Sequence, residues 1–207
     1  MRVVVIEPPK PIVKPEQVPG NHATDDALVT AMIAAAQAEI DGPSGWLGRA
    51  LGEQTLEAHL YGFDEPLIAL PCRPIIKVES VEYEDAGGVM QTLLPVEYEL
   101  VGDSVVMKFG KSWPPVRFYL FNRREPVRIR YRAGYDGATT GKVPANAVAA
   151  IILMTQELLA QAKADGGLRS VTVDDVITQA FNSPDMVQRA RTVAVERLLA
   201  PLRVYVL

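Results

Sequence analysis

"TDDALVTAMIAAAQAEIDGPSGWLGRALGEQTLEAHLY", residues 24–61, contains the change of period that decides the fold. In its first half Leu28, Met32, Ala36 and Ile40 recur at every fourth position, with Val29 and Ile33 widening the stripe, which predicts a helix of about four turns. Thr24 or Asp25 can cap its start, and the early acids suit the positive end of the helix dipole. Gly42-Pro43 ends it. "SGWLGRAL" (44–51) then makes a turn with room for a short second helix, and from Gln54 the pattern is that of a strand.

Downstream, the strand signal continues. "PLIAL", "IIKVESVEYED", "VMQTLL", "EYELVG", "SVVMKF" and "VRIRYRAGY" are short runs of Val, Ile, Leu and Tyr between turn residues. Gly87-Gly88 and Gly102-Asp103 lie between such runs and predict hairpins. The stretch 110–126 is too long and Pro-interrupted for a hairpin loop and reads as an excursion over the surface, with Trp113 either pinning it or meeting a partner. Helical period returns at "VPANAVAAIILMTQELLAQAK", where Val148, Ile151, Ile152, Thr155, Leu158, Leu159 and Ala162 form a broad apolar face. Residues 166–182 are ambiguous and read as a connector. Ser183, Pro184 and Asp185 open a last helix, with Val187, Ala190, Ala194 and Leu198 as its buried row.

Upstream, Pro8, Pro9, Pro11, Pro15 and Pro19 oppose regular structure, so residues 1–23 read as an extended arm. The resulting organisation is α+β: arm 1–23, first helical part 24–53, inserted β-rich module 54–142, second helical part 143–200 and tail 201–207. The expected helical bundle is built from the two ends of the chain.

Composition narrows the function. The 207 residues carry a formal net charge of −4, which argues against wrapping nucleic acid as the main task. Arg123, Arg124, Arg128, Arg130 and Arg132 form the densest basic cluster; the last three share one face of a strand. That face is either a solvated strand surface or a patch meeting an acidic partner or passing DNA. The single cysteine, Cys72, excludes an intramolecular disulfide, and no zinc-ligand spacing occurs. The opening "MRVVVIEPPKP" has too short an apolar run for export or a bilayer span, so a reducing cytoplasm is the expected place of synthesis.

No constellation of catalytic residues emerges. His22 lies in the Pro-rich stretch and His59 on an expected strand, and no nucleophile elbow, P-loop, dinucleotide fingerprint or H-E-x-x-H pattern occurs. Asp174-Asp175 are adjacent, so on a strand they face opposite sides and make a poor metal pair. No cofactor is expected, and binding and assembly become the default class.

Six motifs in order then carry a resemblance: "DDALVTAMIAAAQAEIDG…GRAL" (25–51), "YEDAGG" (83–88), "WPP" (113–115), "AGYDG" (133–137), "VPANAVAAIILM" (143–154) and "LLAPLRVYVL" (198–207). In this order the chain resembles the head–tail connector (adaptor) proteins of long-tailed bacteriophages and gene transfer agents. The insertion "PSGW" and the lengthened "RFYLFNRREP" depart from the pattern. The resemblance implies a non-enzymatic structural protein of the virion neck, assembled in the host cytoplasm. It implies a dodecameric ring docked on the portal protein and joined to a stopper or tail-terminator protein, with DNA passing through the lumen and no membrane involved. A stopper or tail-completion protein one layer below is the neighbouring reading; a small metal-dependent hydrolase is the reading from another class.

Within that frame the carboxyl-terminal stub acquires a role. Pro201 stops the last helix, and Leu202, Arg203, Val204, Tyr205, Val206 and Leu207 follow, five of them apolar. Fully extended, seven residues reach roughly 23 Å. Burying the apolar side chains yields on the order of 7–15 kcal/mol, and ordering the segment costs about 7–14 kcal/mol. Main-chain pairing with a partner's sheet edge would tip this balance, so Pro201–Leu207 are the expected portal-binding residues, disordered or differently placed in the free chain; the alternative is a tail folded back as an edge strand on its own β module. Val3, Val4, Val5 and Ile6 of the arm, with Trp113, are the expected contacts to a neighbouring copy.

Overall fold

The computed structural model describes residues 1–117, 125–164 and 184–204. They form an α+β fold of two compact units, and each is built from stretches far apart in the sequence.

The first unit comprises residues 1–10, 41–143 and 204–207. Its strands are β1 (Arg2–Glu7), β2 (Gln54–Leu60), β3 (Leu67–Ala69), β4 (Ile75–Glu84), β5 (Met90–Thr92), β6 (Tyr98–Val101), β7 (Ser104–Met107) and β8 (Val127–Ala133). All pair antiparallel, in a five-stranded sheet ordered β1-β2-β8-β4-β5 and a three-stranded sheet ordered β3-β7-β6. Alternation along β8 explains the layering. Val127, Ile129, Tyr131 and Ala133 are buried, while Arg128, Arg130 and Arg132 face the other way. The inward set joins Leu56, Ala58 and Val81 with Ile68, Tyr98 and Val105 in one core between the sheets.

The strand runs expected from the sequence are all present, and one strand was not expected. Arg2–Glu7 is no free arm but the edge strand of the five-stranded sheet, with Val3 opposite Ala58 and Val5 opposite Leu56. The prolines begin only at Pro8, so residues 2–7 keep their N–H donors, and four consecutive β-branched residues suit a pleated surface.

The second unit comprises residues 11–40 and 144–203, with helices α1 (Ala27–Ile40), α2 (Ala145–Ala164) and α3 (Pro184–Leu199). α2 packs against both α1 and α3. The remainder of the expected arm belongs to this unit. Val13 and Val18 are buried, Pro15–Gln17 makes a 3-10 turn, and the Ile12 N–H donates to Oε1 of buried Gln37 on α1 at 3.0 Å.

On α1 the buried row is Val29, Ile33, Ala36 and Ile40, all within the expected stripe, while Leu28 is 55% exposed and Met32 half-buried. The cap is Asp26, not Thr24 or Asp25: its Oδ1 accepts from the N–H groups of Leu28 and Val29, both at 3.1 Å. On α3, Val195 and Leu199 are buried where Ala194 and Leu198 were expected. Ser183 and the side chains of Val187 and Ala190 lie outside the described residues. On α2 the buried set is Ala147, Ala150, Ile151, Met154, Thr155 and Leu159, whereas Val148, Ile152 and Leu158 are half-buried and Ala162 is exposed. Residues Ala145–Ala162 are long and apolar enough to cross a bilayer by composition, and α2 packs on α1 and α3 with part of its apolar surface left uncovered.

Candidate functional site

The expected assembly residues fall at three places. The first is the carboxyl terminus. Pro201 does not release the chain: Ala200–Leu202 continue α3 as a 3-10 turn, and Leu202 is buried. The Val204 N–H then donates to the carbonyl of Leu47 at 2.9 Å, beside Gly48. Residues 201–204 are therefore held by their own chain and are not disordered in the lone subunit. An apolar residue one turn beyond Val195 and Leu199 extends their stripe, which explains the burial of Leu202. Tyr205, Val206 and Leu207 lie outside the described residues.

The anchor for Val204 is the "GPSGWLGRAL" segment, which forms successive turns and no short helix. Asp41, only 4% exposed, organises it. Its carboxylate accepts from the Leu51 N–H at 2.7 Å, the Gly52 N–H at 2.9 Å and Gln54 Nε2 at 2.9 Å. The Gly42 N–H donates to the Arg49 carbonyl at 2.9 Å and closes the loop. Gly52 in turn bridges to Tyr135, and at Gly134 (φ +107°) a Cβ would lie 2.2 Å from the Gly52 carbonyl oxygen, so only glycine allows this approach. Nothing in the hydrophobic pattern announces the role of Asp41. The signal that could have found it is a carboxylate directly before the Gly-Pro that ends α1, ten residues ahead of two backbone donors.

The second place is β1. It is an edge strand; Val3 and Val4 are half-buried, Val5 is 42% exposed and Ile6 43% exposed. At its start Arg2 donates to Glu125 Oε2 at 2.6 Å, a bond that holds the Glu125 carboxyl below the usual carboxylate range.

The third is Trp113. Its ring stacks on Phe63 with centroids 4.5 Å apart and an interplanar angle of 9°, and its Nε1 donates to the Pro66 carbonyl at 3.3 Å. Phe63 meets Tyr83 edge-on at 6.1 Å. Trp113 thus pins the 110–117 stretch onto its own unit, with the ring half-buried. Residues 118–124, including Arg123 and Arg124, lie outside the described residues.

The strand arginines do not make a basic face. Arg130 donates to Glu57 Oε2 at 2.8 Å, Arg132 pairs with Glu53, and exposed Arg128 stands opposite Glu82 in the ladder. His59 Nε2 sits 2.9 Å from Glu57 Oε1, which places it in this ion-pair ladder. Burial pushes the Cys72 thiol up to about 11, so the thiolate a nucleophile needs is scarce at neutral pH. Among the described residues no group of three His, Cys, Asp or Glu side chains is placed to hold a metal. Asp174-Asp175 lie outside the described residues.

No protein-family model and no curated protein matches the chain. Solved structures do. A chain in the neck of a native gene transfer agent (GTA) particle computed with C12 symmetry superposes with TM-score 0.58 at 22% identity, covering 88% of this chain and 85% of that one. A chain of the virion of a native GTA particle gives TM-score 0.62 at 18% identity over 100% of this chain and 98% of that one. The fold is that of gene transfer agent particle chains. A third match, in the neck of an empty GTA particle computed with C6 symmetry, gives TM-score 0.61 at 20% identity with the same 100% and 98% coverage. The likeness to these neck and virion chains therefore spans both units and not the β module alone.

Proposed function

We propose that this chain is a structural neck protein, a head–tail connector (adaptor) that forms a ring, docks on the portal and joins capsid to tail. The observation that carries the reading is a fold match over 98–100% of two chains from cyclic or virion GTA assemblies. The surfaces described above support it. The edge of β1, with Val5 and Ile6 exposed, is open to pairing along the strand by a neighbouring copy, and the half-buried Val148, Ile152 and Leu158 of α2 leave apolar area to cover. Trp113 contributes to the neighbour contact through its half-exposed ring. The reading is non-enzymatic and requires no cofactor.

In this reading Pro201–Leu207 remains the portal-docking element, with its division of labour changed. Pro201, Leu202, Arg203 and Val204 form the fixed base and Tyr205, Val206 and Leu207 the part that reaches the portal. Three residues cost about 3–6 kcal/mol to order, while burying their side chains yields on the order of 5–9 kcal/mol. Anchoring Val204 beforehand thus moves the balance toward docking, and repetition around a ring multiplies it.

The test is electron microscopy of the purified chain mixed with its portal, using the wild type and a chain truncated after Val204. Rings on the portal for the wild type, lost on truncation with an unchanged melting temperature, are expected. Binding to a tail-tube protein in place of the portal would overturn the adaptor assignment and favour a stopper one layer below.

A further inference from the structure

Phe109 is the most exposed large apolar residue among those described, at 106% of its reference area. It owes that position to a tight turn: the Lys111 N–H donates to the Lys108 carbonyl at 2.9 Å, and Gly110 has φ +80°, the signature of a type II turn with Phe109 at its first corner. The turn follows β7, and the Lys108 N–H extends the ladder by donating to the Glu97 carbonyl at 2.9 Å, which places the tip beside the strand that starts β6. Leu94 (60% exposed) and Val96 (70% exposed) precede that strand, so three apolar side chains gather at one end of the hairpin. Lys108 precedes the phenylalanine in the chain, and Lys111 closes the tip by pairing with Glu97, Nζ to Oε1 at 3.4 Å. Solvated loops do not need an aromatic knob held out by a glycine turn; interfaces do.

The same unit carries a pocket of about 310 Å³ whose apolar lining includes Met1, Leu60, Leu67 and Ile68. A phenyl ring needs about 150 Å³. Exposed Asp64 and Glu65 also line it and give it an acidic side, the complement of Lys108 beside Phe109. Phe109 cannot be filling the pocket of its own chain, because it is fully exposed.

We propose that Phe109 of one copy seats in the Met1–Leu60–Leu67–Ile68 pocket of a second copy, with Lys108 meeting Asp64 and Glu65. Knob and pocket adjoin on one unit, since Val106 of the knob's strand pairs with Leu67 of the pocket. A one-way knob-to-pocket contact between copies is heterologous, the type that forms a ring when its rotation closes. The inference rests on the ring reading above and specifies which side chains make the ring contact.

The experiment introduces a photoreactive benzophenone side chain at position 109 of the full chain and mixes it with isotope-labelled wild type. The expected product is a labelled–unlabelled cross-link within residues 60–69. Cross-links to another part of the second copy, to the same chain only, or none at all would overturn the proposal. In parallel, Phe109→Ser is expected to weaken self-association at least about 30-fold with an unchanged melting temperature. Lys108→Glu should weaken it too, and adding Asp64→Lys and Glu65→Lys should restore it. Absence of that rescue counts against the contact. Rings that form without the 60–69 cross-link sink this contact and leave the connector reading standing; failure to bind the portal sinks the connector reading itself.

Discussion

The turn segment around Asp41 and the tip around Phe109 invert the usual rule in opposite directions. At the first, a carboxylate lies 4% exposed with three hydrogen-bond donors around it. At the second, a phenyl ring stands fully in solvent beside Lys108. A buried charge persists only where its bonds are satisfied, so the Asp41 site holds the subunit's own architecture. An apolar ring left in water lowers no energy in the lone subunit, so the Phe109 site is for something outside it. The contrast separates residues that make the fold from residues that make the assembly.

Four measurements bear on that separation, from the largest expected effect on subunit stability to the smallest. Asp41→Ala strips the acceptor from Leu51, Gly52 and Gln54 in a buried place and should cost about 3 kcal/mol in urea unfolding. A loss below 1 kcal/mol would remove Asp41 from the fold-making class. Asp26→Ala deletes the α1 cap and should cost about 1 kcal/mol, detectable as a lower midpoint with an unchanged slope. Asp136 is half-buried, and bonds from the Thr140 N–H, the Ala138 N–H and the Thr140 hydroxyl hold its carboxyl well below the usual range. Its folded value is depressed, so its contribution is present above the unfolded value of about 3.9 and is lost as pH falls through the folded one. Melts from pH 5 to pH 2 should therefore decline more steeply for the wild type than for Asp136→Asn. Phe109→Ser should leave unfolding unchanged; a destabilised subunit would return that residue to the architecture.

What the sequence revealed follows the same division. The β8 alternation was legible because its outward positions are all arginine, leaving one possible inner face. The expected α1 stripe contains the buried row but is too wide, and the expected α3 row is off by one, because apolar side chains sit at adjacent positions: Leu28 with Val29, Met32 with Ile33, Leu198 with Leu199. Period alone cannot choose between such neighbours; packing does. β1 was hidden by the prolines that follow it, although its own six residues contain none. The placement of 201–204 in the lone subunit was not legible, because Pro201 marks the end of an α-helix and says nothing of the 3-10 turn that carries Leu202 into the interior. Trp113 fitted one of its two readings directly, since a stacked partner and a carbonyl were both nearby. Asp41 and Phe109 escaped because their roles depend on where loops close, which no local pattern encodes.

Cys72 carries a practical consequence. It is the only cysteine in the chain, 6% exposed, with its thiol pushed up to about 11. A cysteine introduced at the surface ionises near 8.5 and would hold roughly two orders of magnitude more thiolate at neutral pH. Maleimide dyes or spin labels can therefore be attached at chosen points without first replacing the native thiol, and spacings between subunits can be measured in solution.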